Sequence, residues 1–567
     1  MRVEFLFVAA SISLLALISY FVFPGYEYWS GDSSLYVAML EHLRDPTILA
    51  QDIVAQRPHL AFTIYDEVTL VLRQLTGFGF EGILNSETLM LRALAITGVY
   101  LLATALKLSS RMALLVAAFF SLGGQIHGPS VAILELEPVP RGFAVCLLFF
   151  SIGLVAHSRY LMAGIAASIA FLYHAPTVYP FWAAYLCLSL WPADRAIRRS
   201  QLLGFIPLVC AVVVLFLLSR WQPGIGEAQA FFARVDPLLE SLQRMRARYV
   251  YVSMWNPRWW LNYSFLWVGS LLAFWRLREF IPKQLRFFLI GLPLVGILSM
   301  PASYLLLDRL KWSLIPQVQP ARALLFVTAL AAILATVAAV KAAEKKQYIE
   351  TLLWFGLVFA TRIHTFVWEC VSGLANPLGR KRDLILLILA VGAGIVALSE
   401  KQRRRWVIVA WTAVMLGPFF LIVNYANVDS HIYTSSPQLT EISEWAQSTT
   451  SKDAVFLFPD SDKELYPSIF RAKALRAVYV DWKGGGQVNY LKGFAEEWWS
   501  RWQQTMTTKT EPATLDRYAS FGIDYVVVQP ANPISGKSPV FANPGFIIYR
   551  IDHEQSPVEG TSSRAIR

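Results

Sequence analysis

The chain has 567 residues, 56% of them hydrophobic and only 16% charged, with a formal net charge of +11. Soluble proteins of this size do not carry so large an apolar share, so the composition excludes a soluble globular enzyme and points to a polytopic membrane protein. The basic excess falls in short loops between apolar runs, which reads as membrane topology and lipid-headgroup contact and gives no call for nucleic acid.

Met1-Arg2 leads into a hydrophobic stretch without a small-residue cleavage site, the pattern of an uncleaved signal anchor. The apolar runs that follow in order are Phe5 to Phe23, Thr88 to Leu106, Met112 to Ile126, Gly142 to Ala156, Tyr160 to His174, Val178 to Trp191, Leu202 to Ser219, Trp259 to Trp275, Phe287 to Leu307, Ala321 to Val340, Ile349 to Val371, Leu384 to Leu398 and Trp406 to Val423. Together they predict about thirteen transmembrane helices, several of them shorter than the roughly 20 residues of an upright span. Cys146, Cys187, Cys210 and Cys370 all lie in these runs with no CxxC pair, so neither a disulfide framework nor a structural zinc is expected.

With the N-terminus inside, the inner loops carry Lys107 and Arg111, Arg159, Arg195 with Arg198 and Arg199, Arg276 to Arg286, Lys341 to Lys346 and Lys401 to Arg405, as the positive-inside rule requires. Gly379 to Arg382 lands outside and breaks the rule, so the run from Ile349, with Arg362, His364 and Glu369, is expected to be re-entrant or buried among helices.

The outer loops hold the candidate chemistry. The first, Pro24 to Glu87, opens with Gly31-Asp32-Ser33-Ser34-Leu35-Tyr36 and also contains Asp45, Asp52, His59, Asp66 and Glu67, with helical periodicity over Ser34 to Leu43 and Phe62 to Leu75. Asp32 is the candidate carboxylate, against the plainer reading of a solvated turn that caps a helix. The second loop, Gln125 to Arg141, sets His127, Glu135, Glu137 and Arg141 on the same side, as a charge-paired cluster or an ordinary ion pair in a Pro-bounded turn. His174 lies at the next outer boundary, as a ligand or as a satisfied helix-end polar group. Arg220 to Arg258 mixes arginines with Tyr and Trp, the pattern of a helix at the membrane surface. Arg309 follows, and then Arg322, at the outer end of a strongly apolar helix behind Pro320, suited to bidentate phosphate binding or to snorkelling.

From Asn427 the composition becomes that of a soluble domain. Pro437 to Ser448, Tyr490 to Gln504 and Pro512 to Phe521 read as helices, and Ala454 to Pro459, Ala477 to Val480, Asp524 to Val528 and Gly545 to Tyr549 as short buried strands. The fold expected is therefore an α-helical polytopic membrane domain over residues 1–426, followed by a small extracytoplasmic α/β domain over 427–567. Asp481-Trp482-Lys483-Gly484-Gly485-Gly486 follows a strand but matches no phosphate-binding fingerprint, so a plain glycine turn is the expected reading.

An N-inside first helix, an outer loop opening with Asp32-x-x-x-Tyr36, many further helices and a C-terminal domain outside resemble the GT-C (C-type fold) membrane glycosyltransferases, among them the bacterial aminoarabinose transferases and the protein O-mannosyltransferases. Ser33 stands where that family commonly has the second residue of an Asp-Glu pair. The resemblance implies an inverting transfer of a sugar from a polyprenyl-phosphate donor to a glycan, lipid or protein acceptor at the outer face of the bacterial inner membrane, with Asp32 as base. Such chemistry needs a carboxylate and a basic phosphate clamp, which Asp32 and Arg322 would supply. Glu135 and Glu137 would orient the acceptor or hold, with Asp32, a divalent cation such as Mg or Mn. Tyr36, Asp52, His127, Arg141, His174 and Arg309 complete the candidate substrate-binding set. A transporter or flippase, or a non-catalytic envelope polysaccharide-assembly protein, is the alternative.

Overall fold

The computed structural model describes residues 2–57, 63–191, 194–221, 232–360, 377–399, 405–425, 436–507 and 510–552. His59, Arg362, His364, Glu369 and most of the Lys401 to Arg405 cluster lie outside the described residues. The chain divides into two compact units, the first built from Met1–Tyr28, His59–Tyr433 and Val488–Lys492, the second from Trp29–Pro58, Thr434–Gln487 and Gly493–Arg567.

The first unit is a helical membrane body. Each apolar run of the sequence overlaps helix among its described residues, although the run Met112 to Ile126 leaves its helix at Ser121 and ends in the strand Gln125–Ile126. Among the described residues six helical segments are long and apolar enough to cross a membrane by length and composition: Val3–Phe21, Phe80–Ala105, Tyr160–Leu190 (broken at His174), Arg195–Leu218, Lys283–Arg309 and Ile315–Glu344. The chain is thus an integral membrane protein. Its centre is Leu324–Glu344, buried along its whole length except at Glu344, with Pro257–Leu277, Lys283–Ser303 and Tyr348–Ala360 packed around it. Small residues set the closest approaches: a Cβ on Gly98 would run into the backbone of Phe149, and one on Gly153 into the backbone of Gly98, so Phe80–Ala105 and Pro140–Ala156 cross nearly backbone to backbone.

Tyr160–Leu190 is two helices that meet at a break at His174 (φ −160°, ψ 85°), two residues before Pro176. Tyr160 O and Tyr185 Oη both lie against Gly204. In a straight helix those two residues would be about 37 Å apart, so the halves must double back on each other at His174. The two apolar runs on either side of His174 therefore form a helical hairpin. Between Ser110–Ser121 and Pro140–Ala156 the chain makes a small antiparallel pair, β1 (Gln125–Ile126) and β2 (Val131–Ala132), and Pro140 at the first helical position starts the next helix.

The second unit carries a five-stranded sheet of order β4-β3-β5-β7-β6, with β3 Val455–Leu457, β4 Ala477–Val478, β5 Tyr525–Val528, β6 Phe541–Ala542 and β7 Ile547–Arg550. β3 pairs in parallel with β4 and β5, and β7 antiparallel with β5 and β6. Pro437–Thr449, capped by Ser436 Oγ accepting from Leu439 N at 3.1 Å, packs with Tyr466–Ala474 over a core of Leu439, Ile442, Phe456, Phe470 and Ile548. This unit also takes in residues 29–58, which the sequence assigns to the membrane domain. The helix Ser33–Arg44 lies against Tyr466–Ala474, and Ser34 Oγ and Ser468 Oγ share a hydrogen bond of 2.7 Å. The opening half of the first outer loop is thus a structural part of the sheet-bearing unit, while Tyr65–Thr76 belongs to the membrane unit.

Candidate functional site

In the membrane unit the candidate site is built around Arg322. The chain turns through Gln319 in the left-handed region (φ 46°, ψ 64°) into a short 3-10 turn, Pro320–Ala323, that precedes the central helix. Tyr179 Oη donates to Pro320 O at 2.9 Å and so ties that turn to the second arm of the helical hairpin. Arg322 is 6% exposed. Its Nε is buried with no partner among the described residues, and one terminal nitrogen lies 3.5 Å from His174 Nε2, a long contact. His174 Nδ1 in turn shares a hydrogen bond of 2.8 Å with Thr177 Oγ1. The break in the hairpin thus sets an imidazole beside a buried guanidinium.

Glu87 and Asp66 are buried carboxyls of the same unit. Tyr173, next to His174 in the chain, donates its hydroxyl to Glu87 at 3.2 Å, and its carbonyl accepts from Thr63 Oγ1 at 2.8 Å. Asp66 lies in the first turn of the helix Tyr65–Thr76, is 6% exposed, and has a buried Oδ1 without a partner among the described residues. Burial first, and then the neighbouring Glu67 carboxyl, push Asp66 up to about 8.

The second-loop cluster forms as a charge-paired group. Arg141 Nε donates to Glu135 Oε1 at 2.8 Å and a terminal nitrogen lies 3.7 Å from Glu137, all three side chains being largely buried. His127 stacks on Trp259 at 6.0 Å between ring centres, and its carbonyl accepts from Tyr263 Oη. Arg92, which the sequence reading passed over, is 1% exposed in mid-helix and donates to Ser19 O at 2.7 Å, Gly25 O at 2.8 Å and Glu135 O at 2.7 Å. A lone arginine inside an apolar run is a signal that sequence alone carries. Here it holds three backbone segments together. Arg309 is exposed, with its guanidinium 5.2 Å from the Tyr304 ring centre.

Asp32, Tyr36 and Asp52 fall in the second unit. Asp32 sits at the N-cap position of Ser33–Arg44 without making the capping bond, and its Oδ1 pairs with Lys483 Nζ at 2.5 Å, the two side chains 31% and 18% exposed. Tyr36 is one turn further along the same helix, its N–H donating to Asp32 O at 3.1 Å. Asp52 is not a substrate-binding residue. It is fully buried, with Oδ1 accepting from Val54 N and Ala55 N and Oδ2 from Val478 N at 3.0 Å and Arg471 Nε at 2.6 Å. Arg471 in turn donates to Asp481, and two opposed carboxylates raise its proton affinity further. No local pattern announces this triad, because Arg471 and Asp481 stand 10 positions apart while Asp52 lies 419 positions from Arg471. The glycine turn is self-satisfied: Gly484 N donates to Asp481 Oδ2 at 2.9 Å and Gly486 N to Lys483 O at 2.9 Å, which leaves these amides unavailable as a phosphate cradle.

The cation set expected of Asp32, Glu135 and Glu137 does not fit these surroundings. Both glutamates already face Arg141, and among the described residues no three His, Cys, Asp or Glu side chains come together as metal ligands.

A family described as "Domain of unknown function (DUF6798)" matches residues 437–505. No curated protein matches the chain. Among solved structures, apo ArnT from Cupriavidus metallidurans is similar at 13% identity and a TM-score of 0.46, over 97% of this chain and 98% of that one. The same enzyme bound to undecaprenyl phosphate gives 14% and 0.43, over 98% of both chains. The arabinofuranosyltransferase AftD from Mycobacteria gives 14% and 0.45, over 97% of this chain and 40% of that one. Both are GT-C membrane glycosyltransferases, the family that the sequence resembles.

Proposed function

We propose that the chain is an inverting membrane glycosyltransferase that moves a sugar from a polyprenyl-phosphate donor to a glycan, lipid or protein acceptor at the outer face of the bacterial inner membrane. The observation that carries the reading is Arg322, a buried guanidinium whose Nε has no partner among the described residues and whose described neighbour is an imidazole. A guanidinium stays charged at any working pH, and burying it unpaired is costly unless an anion completes it. A phosphate fits, because it accepts from two guanidinium nitrogens at once.

In this reading Asp32 takes the proton of the acceptor hydroxyl while that oxygen attacks the anomeric carbon. The polyprenyl phosphate departs with the bonding electron pair, and Arg322 meets its charge. The Glu135–Arg141–Glu137 cluster holds the second outer loop in shape, and no step runs through a metal. A transporter would be expected to keep charges inside its helices near mid-membrane. Arg92 meets that description, but its hydrogen bonds are all to backbone carbonyls, which favours a structural role.

The test is transfer from labelled polyprenyl-linked sugars by purified protein. Asp32→Asn keeps the shape of the side chain and removes the proton acceptor, so turnover should fall about 100- to 10,000-fold with folding intact. A rate near wild type would sink the assignment. Topology is tested separately: a reporter fused after Arg567 should be active outside the cytoplasm, and activity only in the cytoplasm would place the second unit on the wrong side for this chemistry.

A further inference from the structure

The membrane unit contains a cavity of about 530 Å³ that the transfer chemistry does not use, lined among others by Glu4, Phe7, Ser110, Arg111, Ile408 and Trp411. All of its lining residues belong to that one unit. Three helices, Arg2–Phe21, Ser110–Ser121 and Arg405–Tyr425, lay their first two turns against it, and Pro377–Ser399 ends on it through Val396. The place is remote from Arg322. Lys107, just before the start of Ser110–Ser121, accepts at its carbonyl from Lys341 Nζ at 2.9 Å, and Lys341 lies roughly 28 Å along a helix from Arg322. The cavity thus lies towards the other end of the membrane unit, the end whose loop charges predict the cytoplasmic side.

Its polar lining is charged but not paired. Glu4 Oε1 accepts from Ser110 Oγ at 2.6 Å, while Arg111 makes no hydrogen bond or ion pair among the described residues. An acid and a base therefore line one cavity without meeting each other. Trp411 is 5% exposed, and its Nε1 has no partner among the described residues. A buried indole N–H ordinarily finds an acceptor, and here no described group of the protein supplies one. Most of the remaining lining is apolar. Phe7, 6.0 Å from Trp411 between ring centres, and Ile408 are both exposed on apolar helices of the unit.

These features define the occupant. Exposed apolar side chains on membrane helices face acyl chains, so the cavity opens into the bilayer and takes what the bilayer offers. Its volume is within the roughly 300–1,000 Å³ of small-molecule sites, room for a headgroup and the first part of its chains. An unpaired guanidinium at converging helix N-termini suits a phosphate. Glu4 beside it works against a purely anionic headgroup and suits one that also carries an ammonium. We propose that this cavity binds a phospholipid whose headgroup joins a phosphate to a primary ammonium, a phosphatidylethanolamine. Arg111 holds the phosphate, Glu4 accepts from the ammonium, Trp411 Nε1 donates to an ester or phosphate oxygen, and the chains lie along Phe7 and Ile408. The site is independent of the transferase reading above.

The experiment titrates the full chain in detergent with dioleoyl phosphatidylethanolamine, phosphatidylcholine and phosphatidylglycerol, and native mass spectrometry reads the bound lipid. The ethanolamine lipid should bind about tenfold more tightly than the other two, because methyl groups keep choline from donating to Glu4 and glycerol brings no cation. Glu4→Gln keeps an acceptor for Ser110 and removes the charge, so the ethanolamine lipid should fall to the level of the choline lipid. Arg111→Gln should weaken all three by about tenfold. Both side chains are exposed, so neither change threatens the fold, and thermal unfolding checks that it is intact. An ethanolamine lipid with a photoreactive acyl chain should label Arg2–Phe21 or Arg405–Tyr425. Equal binding of the three lipids, a preference for phosphatidylglycerol, a preference that survives Glu4→Gln, affinity that survives Arg111→Gln, or label confined to other helices would each overturn the proposal.

Discussion

Each unit buries more than one arginine, and Arg471 and Arg322 are solved in opposite ways. Arg471 in the sheet-bearing unit is fully enclosed but stands between Asp52 and Asp481, whose oxygens are in turn held by backbone amides. Arg322 in the membrane unit is nearly as buried, yet its Nε has no partner among the described residues and its described contact is an imidazole. A closed network of this kind specifies a fold and has nothing left to offer a ligand. An open one stays in the fold only if something else completes it. The difference teaches that burial by itself does not mark a functional cation; the state of its hydrogen bonds does.

That contrast breaks most readily at Arg471. Arg471→Ala would leave two carboxylates buried without their cation, and removing one partner of a buried pair typically costs about 3–5 kcal/mol. Thermal unfolding of the purified full chain should show a large loss of stability, and Arg471→Lys should recover only part of it, since an ammonium cannot fork between two carboxylates. A variant as stable as wild type would mean that the triad is not what pins residues 29–58 to the sheet.

Arg322 should respond in the other direction. Arg322→Ala removes an incompletely satisfied charge, so the melting temperature should hold or rise, while apparent affinity for a polyprenyl-phosphate donor should fall by about 10- to 100-fold, the size of a charged hydrogen bond or two. Arg322→Lys should lie between, because it keeps the charge and loses the fork. Loss of stability with unchanged donor affinity would move Arg322 into the class of Arg471.

The sequence displayed the helices better than the partnerships. Apolar runs and Pro and Ser start signals are local, and they located helices of the membrane unit, the two runs on either side of His174 and four of the strands of the sheet; Phe541–Ala542, two residues long at the sheet edge, is too short to make a pattern. Asp32 and Asp52 look equivalent as acids of one outer loop, and only the fold shows one partly exposed beside Lys483 and the other sealed around Arg471. Arg322 was legible because Pro320 and an apolar helix flank it. Arg92 was legible too, as a charge in mid-run, although what it binds is three carbonyls drawn from distant parts of the chain.

The smallest expected effect sharpens the same contrast for anions, at Asp66. Its helix, Tyr65–Thr76, is not one of the membrane-length helices, and its carboxyl is buried with one oxygen unpartnered and Glu67 beside it. Burial, and then Glu67, raise it from the ordinary 3.8 to about 8 in the folded chain. A carboxyl raised on folding binds its proton more tightly in the native state, so its stabilising contribution is complete below about pH 4 and is lost as the pH climbs through about 8. Stability of the wild-type chain should therefore decline between pH 5 and pH 9 more steeply than that of Asp66→Asn, which has no proton to lose. Each tenfold change in proton affinity is worth about 1.4 kcal/mol, so even a small part of this shift would separate the two melting curves at pH 9 while leaving them together at pH 5. Parallel curves across that range would show Asp66 to be paired and charged in the folded protein, and would place it with the closed network of Asp52 rather than with the open one around Arg322.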